Sequence, residues 1–361
     1  MMSQWEGITL KEINIGIIGA GTIARYHIQG LRHVQQAHLT AVADQERNAA
    51  MALAKEENIS RVYDDPDALL QDPEIQAVII ATPPAAHASL VLKALRAGKH
   101  VLCEKPPAIN YAQAEECRRA AVAADRVLMY GFIRRFSREI RALHRLLTDN
   151  DPGTFVTGEV YRLDRCSQAR GWFVDKSIAG GGVLLDGCIH ELDAALYLLG
   201  YPAVKTVDAS TSNWGRELPQ QLGADAGYAP RENKPYTHTV ETSGSARLRF
   251  FNGGCLHVHA ASVLFTVRQG TCIDLCFEKL GLRLENGHLT LIENRAGFGL
   301  CTIHPDFREP VDDWAQQEQH FVDCCLGLSR CIPNAGEGAK LMRIMDAVYT
   351  SAANEEPIQS S

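Results

Sequence analysis

No stretch of the 361-residue chain approaches the roughly 18–20 consecutive apolar residues that a membrane-spanning helix requires; the longest runs, such as Ala77–Ala81, are strand-sized. A surplus of basic residues is missing as well. Lys and Arg number 36 against 43 Asp and Glu, a net charge of −7, the wrong sign for neutralising phosphates, so nucleic acid is not an expected partner. No CxxC pair occurs among the 11 cysteines. Cys272 and Cys276 lie four apart and Cys324 and Cys325 are adjacent, but neither set is accompanied by a second ligand pair at zinc spacing, so no metal is expected. The opening MMSQWEGITLKE has neither the basic start nor the apolar stretch of an export signal. An odd number of cysteines in a chain too long to need disulfide staples then points to reduced thiols and a cytoplasmic protein. Repeats and low-complexity tracts are also lacking. What remains is ordinary globular composition, 46% hydrophobic and 22% charged, at a length that suggests two domains.

The first third alternates two periodicities. Ile13–Gly19, Leu39–Ala43, Arg61–Tyr63, Ala77–Ala81, His100–Cys103 and Val127–Tyr130 are short apolar runs of strand character. Between them lie segments of helical composition or spacing at Thr22–Val34, Arg47–Glu57, Pro66–Gln71, Ala86–Ala97 and Ala112–Ala124. Such alternation predicts a parallel sheet covered on both faces, with ligands at the carboxyl ends of its strands. The rest of the chain changes rhythm. Helices are expected at Arg138–Leu147, Leu184–Leu199 and Gly338–Ala352. Strands are expected at Ser243–Phe251, Cys255–Val263, Cys272–Phe277 and Leu282–Glu285, with turn signals Asn252-Gly253-Gly254 and Asn286-Gly287 between them. Together these predict an α+β unit on a largely antiparallel sheet, with a long polar loop over Asn213–Pro235.

Gly19-Ala20-Gly21-Thr22-Ile23-Ala24 fits G-x-G-x-x-G/A directly after the first strand and before the first helix. Gly19 permits the tight turn, Gly21 lets backbone approach a pyrophosphate, and Ala24 allows close helix–strand packing, while the helix N-terminus offers free N–H groups to the anion. Asp44 closes the second strand 23 positions after Gly21, near the offset at which an acid meets ribose hydroxyls. Its charge favours NAD over NADP; nearby Arg47 leaves NADP open. A plain helix-capping role for Asp44 is the alternative.

Two further segments carry chemistry. Thr82-Pro83-Pro84 with His87, and Glu104-Lys105-Pro106, follow later strands and would surround a nicotinamide. A lysine ending a buried strand needs a partner, because burying an unpaired ammonium is expensive; a purely structural Lys105–carboxylate pair is the alternative. In the run Gly180–Asp193, Asp186 and His190 stand at i and i+4, and His190 and Asp193 at i and i+3, so a continuous helix puts all three on one face. An imidazole flanked by carboxylates suits acid–base work, one partner fixing the tautomer while the other nitrogen meets a substrate proton. A half-buried packing histidine and a metal ligand are the competing readings. His27, His257 and His259 are left as packing or strand residues.

Taken together the segments resemble the glucose-fructose oxidoreductase / inositol dehydrogenase / rhizopine catabolism (Gfo/Idh/MocA) family over nearly the whole chain. The resemblance runs through GIIGAGTIARYHIQGL (16–31), ATPPAAHASLVLKALRAGKHVLCEKP (81–106), GFIRRF (131–136), GWFVDKSIAGGGVLLDGCIHELDAALYLLG (171–200) and FVDCCLGLSRCIPNAGEGAKLMRIMDAVYTSA (321–352). It implies an N-terminal Rossmann domain, a doubly wound parallel sheet over residues 11–131. An α+β domain on an open, mostly antiparallel sheet follows over 132–352, the sheet through which members commonly form homodimers or homotetramers. It implies Lys105, Asp186 and His190 as the catalytic set, with Lys105–Pro106 cis. Arg135 and Trp172 would join Gly19, Gly21, Thr22, Ile23, Asp44, Thr82, Pro83, His87, Glu104 and Lys105 around the cofactor. The implied reaction is NAD(P)-dependent hydride transfer at a secondary hydroxyl of a sugar, glycoside or cyclitol. His190 would be the principal acid/base, Lys105 the donor to the hydroxyl oxygen, and Asp186 the group that orients substrate or balances Lys105. A glycoside-cleaving enzyme using transient oxidation and a non-catalytic NAD- or sugar-sensing regulator are the other readings. CEKPPAIN, where CEKPLA is usual, and the 213–235 loop depart from the family pattern.

Overall fold

The alternating runs of the first third pair side by side. In the computed structural model, which describes residues 12–164, 171–214, 236–262, 266–307 and 311–359, the order is β1 (Ile13–Ile18), α1 (Thr22–Leu31), β2 (Ala37–Ala43), α2 (Arg47–Glu57), β3 (Arg61–Tyr63), α3 (Pro66–Gln71), β4 (Ala77–Ile80), α4 (Pro84–Arg96), β5 (His100–Glu104), α5 (Tyr111–Ala124) and β6 (Leu128–Gly131). The six strands form one parallel sheet in the order β3-β2-β1-β4-β5-β6. Side chains alternate across it, as a strand's period of two demands. Ile15, Ile17, Val42, Ile79, Leu102 and Met129 enter one core, while Ile18, Ala43, Val78, Ile80, Val101 and Cys103 enter another on the opposite face. Burial on both sides is why these strands read as unbroken apolar runs. Strand order reverses between β1 and β4, which opens a crevice at their carboxyl ends.

The remaining elements are α6 (Arg138–Asp149), β7 (Phe155–Leu163), the short α7 (Lys176–Ala179), a π-helical turn (Leu184–Cys188) running into α8 (Ile189–Leu198), and β8 (Val204–Ser212). β9 (Ser243–Phe250), β10 (Cys255–Ala261), β11 (Gly270–Phe277), β12 (Leu280–Glu285), β13 (His288–Arg295) and β14 (Gly299–Ile303) follow. The chain then forms α9 (Asp313–Cys325), α10 (Ala335–Asn354) and β15 (Ile358–Gln359). A nine-stranded sheet results, in the order β14-β13-β12-β11-β7-β10-β9-β8-β15, antiparallel except where β10 runs alongside β7. Its register explains its two faces. Val207, Leu248, Leu256, Gly158, Leu275, Leu282 and Leu291 stand opposite one another in a single buried row. One residue along, the row reads Asp208, Arg247, His257, Glu159, Asp274 and Arg283, with ion pairs Arg247–Asp208 at 2.8 Å and Arg283–Asp274 at 3.1 Å.

The sequence reading missed β7, β8, β13, β14, α9 and the short α7 and β15. With one face polar, β7 (FVTGEVYRL) and β8 (VKTVDASTS) carry too few apolar residues to stand out. α9 buries Gln317 and Glu318 beside Phe321 and Val322, so its inward stripe does not look apolar. This helix returns to the first sheet and lies on α1, where a side chain at Gly30 would meet the Trp314 backbone at 2.8 Å. A capping box between Asn334 and Glu337 starts α10. The expected 213–235 loop lies outside the described residues beyond Trp214. Among the described residues no helix is long and apolar enough to cross a membrane, and no group of three or more His, Cys, Asp or Glu could hold a metal ion.

Candidate active site

The glycine turn sits in the crevice between β1 and β4. Gly19 has φ +104°, and a Cβ there would lie 2.4 Å from the Ala81 carbonyl oxygen, so only glycine lets the two strand ends approach. A Cβ on Gly21 would meet nothing within 4 Å: the space it leaves faces outward. Gly21 also begins α1 without a side-chain cap or an acid in the first turn, so the first N–H groups of the helix, over Thr22 and Ile23, are left for an external anion. Asp44 Oδ2 accepts the Ala20 N–H at 2.7 Å and Oδ1 accepts the Glu46 N–H at 2.8 Å. It thus braces the turn and ties it to Glu46 ahead of α2 without capping that helix, and each oxygen keeps a lone pair for a ribose hydroxyl. Arg47 is drawn to Asp64 at 2.8 Å. Across the crevice Pro83 leads into α4, and the buried Thr82 hydroxyl has no partner among the described residues. A cradle free of Cβ atoms, uncapped N–H groups, a braced carboxylate and an orphan hydroxyl fit a dinucleotide.

Sequence reasoning gave His87 and Glu104 to the cofactor; the structure turns both inward. His87 is buried, with Nδ1 2.8 Å from the Pro106 carbonyl oxygen and Nε2 2.8 Å from that of Thr82. It ties the β4 turn to the β5 turn. Burial lowers its pKa despite those two acceptors. Glu104 Oε1 meets His27 Nε2 at 3.1 Å, and Oε2 accepts the Lys105 backbone N–H at 3.1 Å. His27 in turn contacts Glu318 of α9 through Nδ1 at 2.7 Å. Burial works against a charge on this imidazole, yet the two carboxylates outweigh it and raise its pKa from 6.5 to about 9. His27, assigned to packing from sequence, is therefore a buried cation between two carboxylates.

Lys105, whose peptide to Pro106 is cis, reaches from the end of β5 into the second unit. Its Nζ donates to the Asp186 carbonyl oxygen at 2.6 Å and to Asp186 Oδ1 at 2.8 Å. The side chains are 16% and 44% exposed, so the pair lines an opening and is not sealed in a core. The carboxylate partner is Asp186, not the adjacent Glu104. Asp186 lies in the π turn, whose start is held by Glu241: its carboxylate accepts the Gly182 N–H at 2.8 Å, the Leu184 N–H at 3.1 Å and the Tyr349 hydroxyl at 2.9 Å.

His190 departs from expectation in two ways. Its Nδ1 is buried without a hydrogen-bond partner among the described residues, so no carboxylate among them holds that nitrogen. Burial first, then the positive fields of Lys105, Arg134 and Arg162, hold its pKa well below 6.5. It is a neutral imidazole within reach of the Lys105 field. The three-residue face read from sequence is also divided. Asp193 turns into the interior, where its two oxygens accept Arg135 Nε at 2.8 Å and Nη2 at 2.7 Å. Arg135 further meets Glu337 at 3.1 Å and the Tyr201 hydroxyl at 2.8 Å with its side chain 1% exposed. It locks α8 to α10 and is not the pocket-lining residue expected. Trp172 stacks on Phe173, ring centroids 3.8 Å apart. The arginine that faces the site is Arg134, 3.2 Å from Glu191, with Arg162 held by Asp164 at 3.2 Å. Neither was singled out from sequence, though Arg134 stands in the quoted GFIRRF run.

Comparison with known proteins bears on the family and the fold. Residues 13–132 match the model of an oxidoreductase family with an NAD-binding Rossmann fold, and 140–281 match a GFO/IDH/MocA C-terminal domain. The chain is 32% identical to a D-glucoside 3-dehydrogenase of Escherichia coli strain K12, covering 96% of this chain and 97% of that protein. It is 31% identical to an inositol 2-dehydrogenase of Rhizobium meliloti strain 1021, covering 96% and 98%. Among solved structures, a levoglucosan dehydrogenase in complex with NADH superposes with a TM-score of 0.84 at 21% identity over 97% of this chain and 100% of that one. An oxidoreductase domain protein from Kribbella flavida gives 0.85 at 22% over 98% and 100%; these two likenesses concern the fold. The chain belongs to the Gfo/Idh/MocA family of oxidoreductases, and NAD is its cofactor.

Proposed function

We propose that the protein oxidises a secondary hydroxyl of a sugar, glycoside or cyclitol, with Lys105, Asp186 and His190 as its catalytic residues. The observation that carries the reading is the pairing of Lys105 Nζ, at the end of β5, with the carbonyl oxygen and Oδ1 of Asp186 in the π turn, beside a neutral His190 whose Nδ1 has no partner among the described residues. Bound NAD supplies the hydride acceptor. Lys105 donates to the substrate oxygen and favours the developing alkoxide. Asp186 keeps the ammonium in place and balances its charge. His190, kept unprotonated by burial and three nearby cations, is free to take the hydroxyl proton, and the imidazolium so formed sheds it readily to solvent. Asp44, the uncapped start of α1 and Thr82 would hold the dinucleotide.

Relatives named as glucoside and inositol dehydrogenases support the substrate class. We assign the outer row of charges on the nine-stranded sheet to self-association as a homodimer or homotetramer, and place the protein in the cytoplasm. The test is a panel of sugars and cyclitols with NAD, followed by the absorbance of the reduced nicotinamide. Net NADH with an intact carbon skeleton supports the reading; bond cleavage without net NADH indicates a glycoside-cleaving enzyme, and binding without turnover a sensor. His190→Ala should lower kcat by about 10²- to 10⁴-fold while leaving NADH affinity nearly unchanged.

A further inference from the structure

The end of α9 is a Schellman motif. The Gly327 N–H donates to the Cys324 carbonyl oxygen at 3.1 Å and the Leu328 N–H to that of Asp323 at 2.8 Å, with Gly327 at φ +75°. This turn folds the chain back along the helix, and the Ile332 N–H then donates to His320 Nε2 at 3.2 Å. That bond fixes Nε2 as the unprotonated ring nitrogen. The Cys324 sulfur, one helical turn on from His320, lies 3.4 Å from the same atom. Cys331, immediately before Ile332, turns its thiol toward the carbonyl oxygens of Leu128 at 3.7 Å and Pro333 at 3.9 Å. Two sulfurs seven positions apart are thus gathered at one imidazole, away from the proposed catalytic residues. The two thiols are not equivalent. A hydrogen bond from Cys331 outweighs the burial that opposes charge and, together with His320, holds the Cys324 thiol below its ordinary pKa; the same bond, with burial, pushes Cys331 up. Burial pushes Cys103, Cys117, Cys188, Cys272 and Cys325 up as well.

We propose that Cys324, His320 and Cys331 form a peroxide-reactive dithiol site, in which Cys324 is oxidised first, His320 takes its proton and Cys331 closes a reversible disulfide. In the first step the Cys324 sulfur attacks one oxygen of hydrogen peroxide. The S–O bond forms, the O–O bond breaks, and the departing hydroxide takes up the proton held on His320, leaving a sulfenic acid and one water. In the second step the Cys331 sulfur attacks that sulfenic sulfur. The S–S bond forms, the S–O bond breaks, and the Cys331 proton leaves with the hydroxyl as a second water. Two thiols lose two electrons and the peroxide gains them. Access is short: Cys324 is 6% exposed, and residues 327–330, which join the two cysteines, are all exposed. A disulfide here would tie the end of α9 to the segment that meets β6 through Asn334 and Met129.

The test treats the reduced protein with a small excess of hydrogen peroxide at pH 7, alkylates the remaining thiols and reads the peptides by mass spectrometry, with N-acetylcysteine oxidised alongside as the reference thiol. Expected is a disulfide between Cys324 and Cys331 that dithiothreitol reverses. It should form about tenfold or more faster than the reference thiol reacts, since an ordinary thiol is only a few per cent thiolate at that pH. Cys331→Ser, a change at a partly exposed position, should stop at a sulfenic acid on Cys324 that dimedone traps. His320→Gln should slow the oxidation of Cys324 by about tenfold. NADH binding followed by fluorescence shows that each variant is folded. Three results overturn the proposal: Cys324 left free while other thiols oxidise, a disulfide that forms no faster than the reference thiol reacts, or a folded Cys331→Ser protein in which dimedone finds nothing on Cys324. Should His320→Gln fail to bind NADH, wild type and Cys331→Ser decide by the same criteria. The polyol-oxidising reading stands on other residues and is untouched by any of these results.

Discussion

Replacing His27 removes a buried cation whose effect on stability has a definite size and pH window. Its pKa rises from 6.5 to about 9 although the ring is wholly buried, because Glu318 and Glu104 outweigh the burial that opposes charge. At 1.36 kcal/mol per pKa unit, that rise is worth about 3 kcal/mol of folding stability. The folded state holds the proton more tightly than the unfolded chain. The stabilisation is therefore complete below pH about 6.5 and drains away as pH climbs to about 9. His27→Gln keeps a donor toward one carboxylate but cannot carry the charge, so it should lose stability at neutral pH and show a flatter profile in that window. Urea unfolding of both proteins at several pH values from 6 to 10 gives the difference directly, with background titrations cancelling between them. Parallel wild-type and His27→Gln profiles between pH 6.5 and 9 would refute the imidazolium. Because Glu104 Oε2 accepts the Lys105 N–H, the variant should also loosen the Lys105 turn, read as a fall in kcat at a pH where both proteins are folded.

Three further outcomes are expected. Gly19→Ala, with φ +104° and a Cβ 2.4 Å from the Ala81 oxygen, should abolish NADH binding measured by fluorescence or prevent folding; normal affinity would contradict the close approach of the two strand ends. Arg135→Met strands Asp193 in the interior and should cost about 3–5 kcal/mol in urea unfolding, whereas a loss confined to KM would return Arg135 to the substrate pocket. Glu241→Gln has a single acceptor oxygen for the two N–H groups and the hydroxyl that the carboxylate serves. It should lower stability by about 1–3 kcal/mol and reduce kcat through the turn that carries Asp186, measured by thermal unfolding and steady-state turnover.

What sequence made legible follows the physics of burial. Strands β1, β4 and β5 lie between two helical layers, so their composition alone marks them, and the glycine turn is set by a steric demand that no other residue meets. β8 and β13 face a core on one side only, and charge on the other side conceals them. The π turn at Leu184–Cys188 left no mark at all: its residues read as the first turn of an α-helix. Assuming regular helix there put Asp186, His190 and Asp193 on one face. The structure gives Asp186 to Lys105 and Asp193 to Arg135. His27, Glu104 and Glu318 lie 77 and 214 positions apart along the chain, so only the fold of α9 onto α1 reveals that they form one charged cluster.

The same cluster shows how the two sheets are held in a working relation. Lys105 belongs to the first sheet and its partner Asp186 to the second unit, so the site exists only while the units keep their relative position. Lys105–Asp186 cannot be the fastening, since both side chains are partly exposed and an exposed ion pair is worth about 1 kcal/mol or less. The stronger tie runs through α9. It follows the second sheet's strand β14 along the chain, packs on α1 beside Gly30, and delivers Glu318 to His27, which in turn grips Glu104 immediately before Lys105. Glu318 is fully buried, so its ion pair is not screened by solvent, and breaking it leaves an uncompensated charge. A substitution at Glu318, far along the sequence from every residue of the glycine turn and the lysine motif, should therefore disturb turnover through the Lys105 turn before it disturbs NADH binding at the uncapped start of α1.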